Sequence, residues 1–148
     1  MSADASFFQW VAFIWQQNWP LFLRGAGNTL LIALTGTITG FVIGMIIGVI
    51  RTIPIDHKTG TIKKVILKIV DVLLLCYIEV FRGTPMMVQA MVIFYGIPII
   101  LGFRLDPIPA GIVIVSINTG AYMAEIVRGG ILSIDKGQFE AAHAIGMT

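Results

Sequence analysis

Charge is scarce in this chain. Lys, Arg, Asp and Glu make up 12% of it and hydrophobic residues 57%, where an ordinary soluble domain is roughly a quarter charged. A water-soluble core of 148 residues would leave too much apolar surface uncovered, so the chain reads as one membrane domain. The mean hydropathy of +0.90 points the same way. Positive charge in excess is also lacking. A net charge of +2, with no basic run interleaved with aromatics on a polar surface, excludes a nucleic-acid binder. Cysteine is almost absent: Cys76 stands alone in an apolar stretch. That rules out an internal disulfide or a cysteine-based metal site and suggests a small buried hydrophobe. His57 and His143 are too isolated to found a metal site. The first six residues carry Asp4 and no cation, unlike the basic start of a secretory signal. A GxxxxGK[ST] phosphate loop is missing as well, so the chain is expected to hydrolyse no ATP and to be no enzyme.

Long apolar stretches fill the space left by charge. Residues 7–23 are apolar but interrupted by Gln9, Gln16, Gln17 and Asn18, and they hold all three tryptophans, Trp10, Trp15 and Trp19. Trp favours the membrane–water boundary. Residues 1–23 therefore read as an extracytoplasmic, interfacial segment whose helix ends near Pro20, or else as a short spanning helix. Residues 24–148 form the transmembrane domain. Its first span, about 29–50, contains no charged residue and is long enough to cross a bilayer. Within it Gly36, Gly40, Gly44 and Gly48 recur every fourth residue. Each step of four turns a helical position only about 40° further, so the glycines form one side-chain-free stripe suited to close helix packing.

Residues 51–71 carry Arg51, Lys58, Lys63, Lys64 and Lys68 against Asp56 and Asp71, with Pro54 and Thr59-Gly60 breaking regular structure. The positive-inside rule places this loop in the cytoplasm and the N-terminus outside. The second apolar block, 72–101, is interrupted by Arg82-Gly83-Thr84-Pro85. It reads either as an amphipathic lead-in, a break and a span within about 77–101, or as one long kinked helix. Glu79 and Arg82, three apart, are expected to pair structurally. Residues 102–109 form an external turn, and a third span, about 108–128, ends at Arg128-Gly129-Gly130. Glu125 and Arg128 are expected to form a second structural pair. Polar residues within spans mark pathways, which makes Gln89, Asn118, Thr119 and Tyr122 candidates for the substrate pathway, with hydrogen bonding between helices as their other reading. The tail 133–148 is a cytoplasmic coupling segment: Asp135 is placed to cap a helix, and Glu140 is expected in its first turn, facing the positive end of the dipole.

Three sequence features then resemble a known family. Glu140-Ala141-Ala142 followed by Gly146 resembles the start of the EAA loop of ABC importer permeases. Arg82-Gly83-Thr84-Pro85 with Val88-Gln89, and the run from Asn118 to Ile131, resemble the polar amino acid branch. The resemblance covers about residue 24 to the end. It implies an all-α, polytopic membrane protein with the type I ABC importer permease fold, the first three of about five core spans being present. It further implies a bacterial inner (plasma) membrane location and a dimer with a second, identical or different, permease subunit. Two ATPase subunits would dock on the cytoplasmic side with ATP and magnesium bound to them, and an extracytoplasmic binding protein would deliver the amino acid. The ATPase-coupling role falls on Glu140, Ala141, Ala142 and Gly146. In the family the loop continues into two further spans, whereas this chain stops at Thr148, so a fragment is expected. An ion-coupled secondary transporter and a non-transporting membrane fragment are the other readings. The first leaves the EAA segment unexplained, and the early stop gives the second some support.

Overall fold

The computed structural model describes residues 6–53 and 60–147. Asp4, Pro54, Asp56, His57, Lys58 and Thr59, on which some expectations above fall, lie outside the described residues. Among those described, every regular element is helical. The elements are α1 (Phe7–Ile50), α2 (Thr61–Gly83), α3 (Met86–Met91), a π-helical turn (Val92–Gly96), α4 (Ile97–Leu101), α5 (Pro107–Leu132) and α6 (Lys136–Ala144). The helices α1 and α5 are long and apolar enough to cross a membrane, and Met86–Leu101 is a shorter apolar stretch.

α1 begins where the Gln9 side chain accepts the Ser6 N–H at 3.1 Å, the returning half of a capping box. It then runs unbroken for 44 residues, about 66 Å at 1.5 Å per residue. The expected stop near Pro20 does not occur, and Pro20 sits inside the helix. Proline deletes one hydrogen bond and holds a helix-compatible φ. With helix-forming apolar residues on both sides, one missing bond interrupts the ladder without ending it. α5 likewise passes through Gly129 and Gly130 to Leu132, four residues beyond the expected end of the span. α4 does stop on a glycine: Gly102 has φ of 72° and donates its N–H to Pro98 O at 2.9 Å, a left-handed terminus that other side chains resist.

The core is the seam between α1 and α5. Gly36, Gly40, Gly44 and Gly48 are the buried residues of α1. Successive glycines meet Val115, Thr119, Met123 and Val127 in turn, so the two helices run parallel, the direction expected of a first and a third span. Approach is to the backbone. A Cβ on Gly40 would lie 2.7 Å from the Ser116 carbonyl oxygen, and one on Gly44 2.7 Å from that of Gly120 and 2.9 Å from the Ala124 nitrogen. On α5 the facing residues Ser116, Gly120 and Ala124 are also small, buried and four apart. Thr39 and Ser116 join the helices through their hydroxyls, a polar tie of the sort that binds helices in lipid. Most large apolar side chains face outward, including Ile99 and Ile100, more than four-fifths exposed. Cys76, expected to be buried, is exposed because it falls on the outward apolar face of α2.

Candidate functional site

The break between α2 and α3 is built around a missing donor. In an unbroken helix the Phe81 carbonyl would accept from residue 85, but Pro85 has no N–H. The Gln89 side chain replaces it: Nε2 donates to Phe81 O at 2.9 Å and to Thr84 O at 2.9 Å, with Thr84 Oγ1 at 2.8 Å. Thr84 in turn donates its hydroxyl to Val80 O. Gln89 Oε1 accepts from Asn118 Nδ2 at 3.1 Å, which ties the break to α5. Gln89 is buried, so its amide is committed to the backbone.

The four residues expected along a pathway therefore divide. Gln89 and Asn118 bond to each other. Thr119 turns to the glycine seam, its Cβ 2.6 Å from where a Cβ on Gly40 would stand. Tyr122 is exposed, with the Arg82 guanidinium 5.6 Å from its ring centroid. Sequence reasoning misses Tyr77, whose hydroxyl donates to Ile117 O at 2.6 Å in the space left by Gly120, where a Cβ would be 2.8 Å from the Tyr77 hydroxyl oxygen. Gly120's place in the Ser116–Gly120–Ala124 repeat is the signal that points to it. Removing Gln89 tests the bridge. Gln89→Leu should strand the Thr84 carbonyl and leave Phe81 O only the 3.4 Å contact from Asn118 Nδ2, at a cost of about 1–3 kcal/mol, read as a lower unfolding temperature in detergent. The Gln89→Leu/Asn118→Ala double variant should lose less than the sum of the two single losses.

Charged residues converge where α1, α2 and α5 meet, in pairs other than the expected ones. Arg51, whose side chain is only 5% exposed, contacts Asp71 at 3.1 Å and Glu125 at 2.7 Å, and Glu125 lies 3.8 Å from Arg82. Neither Glu79–Arg82 nor Glu125–Arg128 pairs among the described residues. Neighbours three apart on one helix can meet, but a nearly buried guanidinium needs counter-charges from any element within reach, and Arg51 takes Glu125. Glu79 is exposed. The Arg128 Nε is buried without a partner among the described residues.

α6 is short, capped at both ends and open. The Asp135 carboxylate accepts the Gly137 N–H at 2.6 Å. At the other end Gly146, φ 81°, donates to His143 O at 3.1 Å while Met147 donates to Ala142 O at 3.0 Å. That pair of bonds is the Schellman terminus, which favours glycine. Glu140 falls in the second turn, and the first turn holds no acid, so the expected dipole contact is absent. All side chains of α6 are exposed except Ala142, which is half-buried. By helical periodicity, Gly137, Ala141 and Ala144 share one small face, Glu140 borders it, Ala142 turns away, and Gly146 serves as the terminator.

Residues 59–148 match the family model described as "binding-protein-dependent transport system inner membrane component". The chain is 51% identical over 71 residues to the arginine transport system permease protein of Bacillus subtilis, covering 48% of this chain and 32% of that one. It is 41% identical over 140 residues to the glutamine transport system permease protein of Escherichia coli K12, covering 92% of this chain and 58% of that one. It thus spans about a third to three-fifths of the length of these relatives. A crystal structure of an amino acid ABC transporter with histidines superposes over 100% of this chain and 60% of its own, with TM-score 0.71 and 34% identity. An inward-facing MetNI methionine ABC transporter shares the fold over 89% of this chain and 58% of its own, at TM-score 0.60 and 24% identity.

Proposed function

Because the chain belongs to the family of binding-protein-dependent transport system inner membrane components, we propose that it is a membrane-spanning permease subunit of an ATP-driven importer for polar amino acids, lining the translocation pathway and coupled to a separate ATPase. The observation that carries this reading is α6: a doubly capped, exposed helix with a small-residue face. A preformed helix of this kind suits insertion into a partner's groove. Only Ser133, Ile134 and Asp135 separate it from α5, so displacement of α6 acts directly on a spanning helix packed along the glycine seam. ATP and magnesium belong to the partner ATPase, whose closure shifts the population between outward- and inward-facing states. An extracytoplasmic binding protein and a second permease subunit complete the assembly. The relatives named above are arginine and glutamine transport system permease proteins, which supports polar amino acids as the substrate class.

The test is energetic. When the chain is expressed with the rest of its transporter and reconstituted in vesicles, uptake of labelled amino acid should require ATP on the ATPase side and persist when ion gradients are collapsed. Uptake that follows an ion gradient without ATP would replace this reading with a secondary transporter.

The topology proposed with it has the N-terminus outside and α6 in the cytoplasm. Single cysteines at Lys63 and Arg104 in a Cys76→Ser background report on it with an impermeant thiol reagent on intact cells. Arg104 should label and Lys63 should not; the reverse pattern inverts the orientation.

A further inference from the structure

The first half of α2 combines two surfaces that neither water nor hydrocarbon accommodates together. Ile62, Val65, Ile66, Ile69 and Leu73 are all more than half exposed, and at their spacing they form one apolar face. Lys63, Lys64 and Lys68 are exposed too. At 100° per residue they stand about 100–140° to either side of Ile69, so they flank the apolar face. No acid occurs from 61 to 70, and none of these lysines joins an ion pair among the described residues. The level of this segment follows from Asp71. It bonds Arg51, the residue that ends α1, while Tyr77 reaches Ile117, level with the Gly36–Gly40 part of α1. So α2 runs back along α1, and residues before 71 run on past the end of the charge-free span. An apolar face bordered by exposed cations at that level fits a bilayer surface, where the face enters the acyl boundary and the cations meet headgroups.

We propose that residues 61–73 lie at the membrane surface and bind anionic phospholipid headgroups through Lys63, Lys64 and Lys68. The inner leaflet is assigned by the topology above; the lipid contact itself does not depend on it. Asp71, at the end of this segment, holds Arg51 and through it Glu125, so the lipid contact anchors the α2 side of the ion network.

The experiment uses the assembled transporter in nanodiscs, with Ile66→Cys in a Cys76→Ser background carrying an environment-sensitive fluorophore. Nanodiscs contain either acyl-brominated phosphatidylglycerol or acyl-brominated phosphatidylcholine at equal mole fraction. The brominated phosphatidylglycerol should quench the probe several-fold more strongly. High salt, or Lys63→Gln/Lys64→Gln/Lys68→Gln, should abolish the difference. The same probe at Leu34, exposed on the charge-free span, should be quenched equally by both lipids. Equal quenching at residue 66 by both lipids, insensitive to salt, overturns headgroup binding. No quenching by either means that protein, from the rest of the assembly or a second copy, or water covers the face, and overturns the proposal altogether. Neither outcome alters the ATP requirement of uptake, so this inference fails separately from the permease reading.

Discussion

Gly44→Leu should all but eliminate correctly assembled protein, while Gly27→Ala on the same helix should leave it intact. At Gly44 an added Cβ meets the backbone of α5, with Gly120 O at 2.7 Å and Ala124 N at 2.9 Å. Backbone atoms cannot rotate aside as a side-chain end can, so the helices must separate. Overpacking typically costs about 1–3 kcal/mol, roughly five- to 150-fold in the equilibrium between packed and unpacked helices. Leucine, with three more carbons in the same space, belongs at the upper end or beyond. Separation also breaks the Thr39–Ser116 tie and draws Arg51, at the end of α1, away from Glu125. At Gly27 nothing lies within 4 Å of an added Cβ, and alanine is the better helix former by about 1 kcal/mol. Recovery of monodisperse protein after detergent extraction reads both variants. Equal recovery would mean that the stripe carries no packing load.

The second large effect is expected from Ala141→Trp, with the spanning helices left in place. Ala141 lies on the small face of α6, exposed, between caps that hold the helix without help from the rest of the chain. An indole there leaves α6 itself intact but blocks close contact with a groove. A loss of about 2 kcal/mol or more, the scale of an interface hot spot, weakens ATPase binding about thirtyfold or more and abolishes uptake. The variant should insert and melt like the parent, since α6 buries almost nothing. Asn118→Ala, which removes the bond to Gln89 and leaves the surface of α6 untouched, should keep the ATPase bound, and it alters uptake or substrate preference only if Asn118 also faces the pathway. Co-purification and uptake in one membrane preparation separate the two. Normal values of both for Ala141→Trp would remove the mechanical basis of the permease reading.

Features encoded by local spacing are legible in the amino-acid sequence alone. The glycine stripe shows as a period of four inside a charge-free run, the break shows as Pro85, and the cap of α6 shows as Asp135. What escapes depends on tertiary neighbours. Arg51 and Glu125 are 74 residues apart, so reasoning restricted to one helix can offer Glu125 only Arg128 as a partner. Gln89 stands out as a polar residue in a span, yet its role comes from the donor that Pro85 lacks. On α5 the packing residues Ser116, Gly120 and Ala124 interleave with Asn118, Thr119 and Tyr122, and the polar set masks the small one. Pro20 misleads for the converse reason: the local rule for proline is strong, but 44 residues of continuous helix absorb the loss of one bond.

The parallel seam between α1 and α5 also sets a delay. Its joining residues, Thr39 and Ser116, are 77 positions apart. At about 5–20 residues per second, α1 leaves the ribosome roughly 4–15 s before its partner exists. Through that interval the side-chain-free stripe lies open in the bilayer, able to take any helix with a small face, including the α1 of a neighbouring nascent chain. The glycines that allow the tightest contact in the finished protein thus make the order and timing of synthesis part of how the correct pair is chosen.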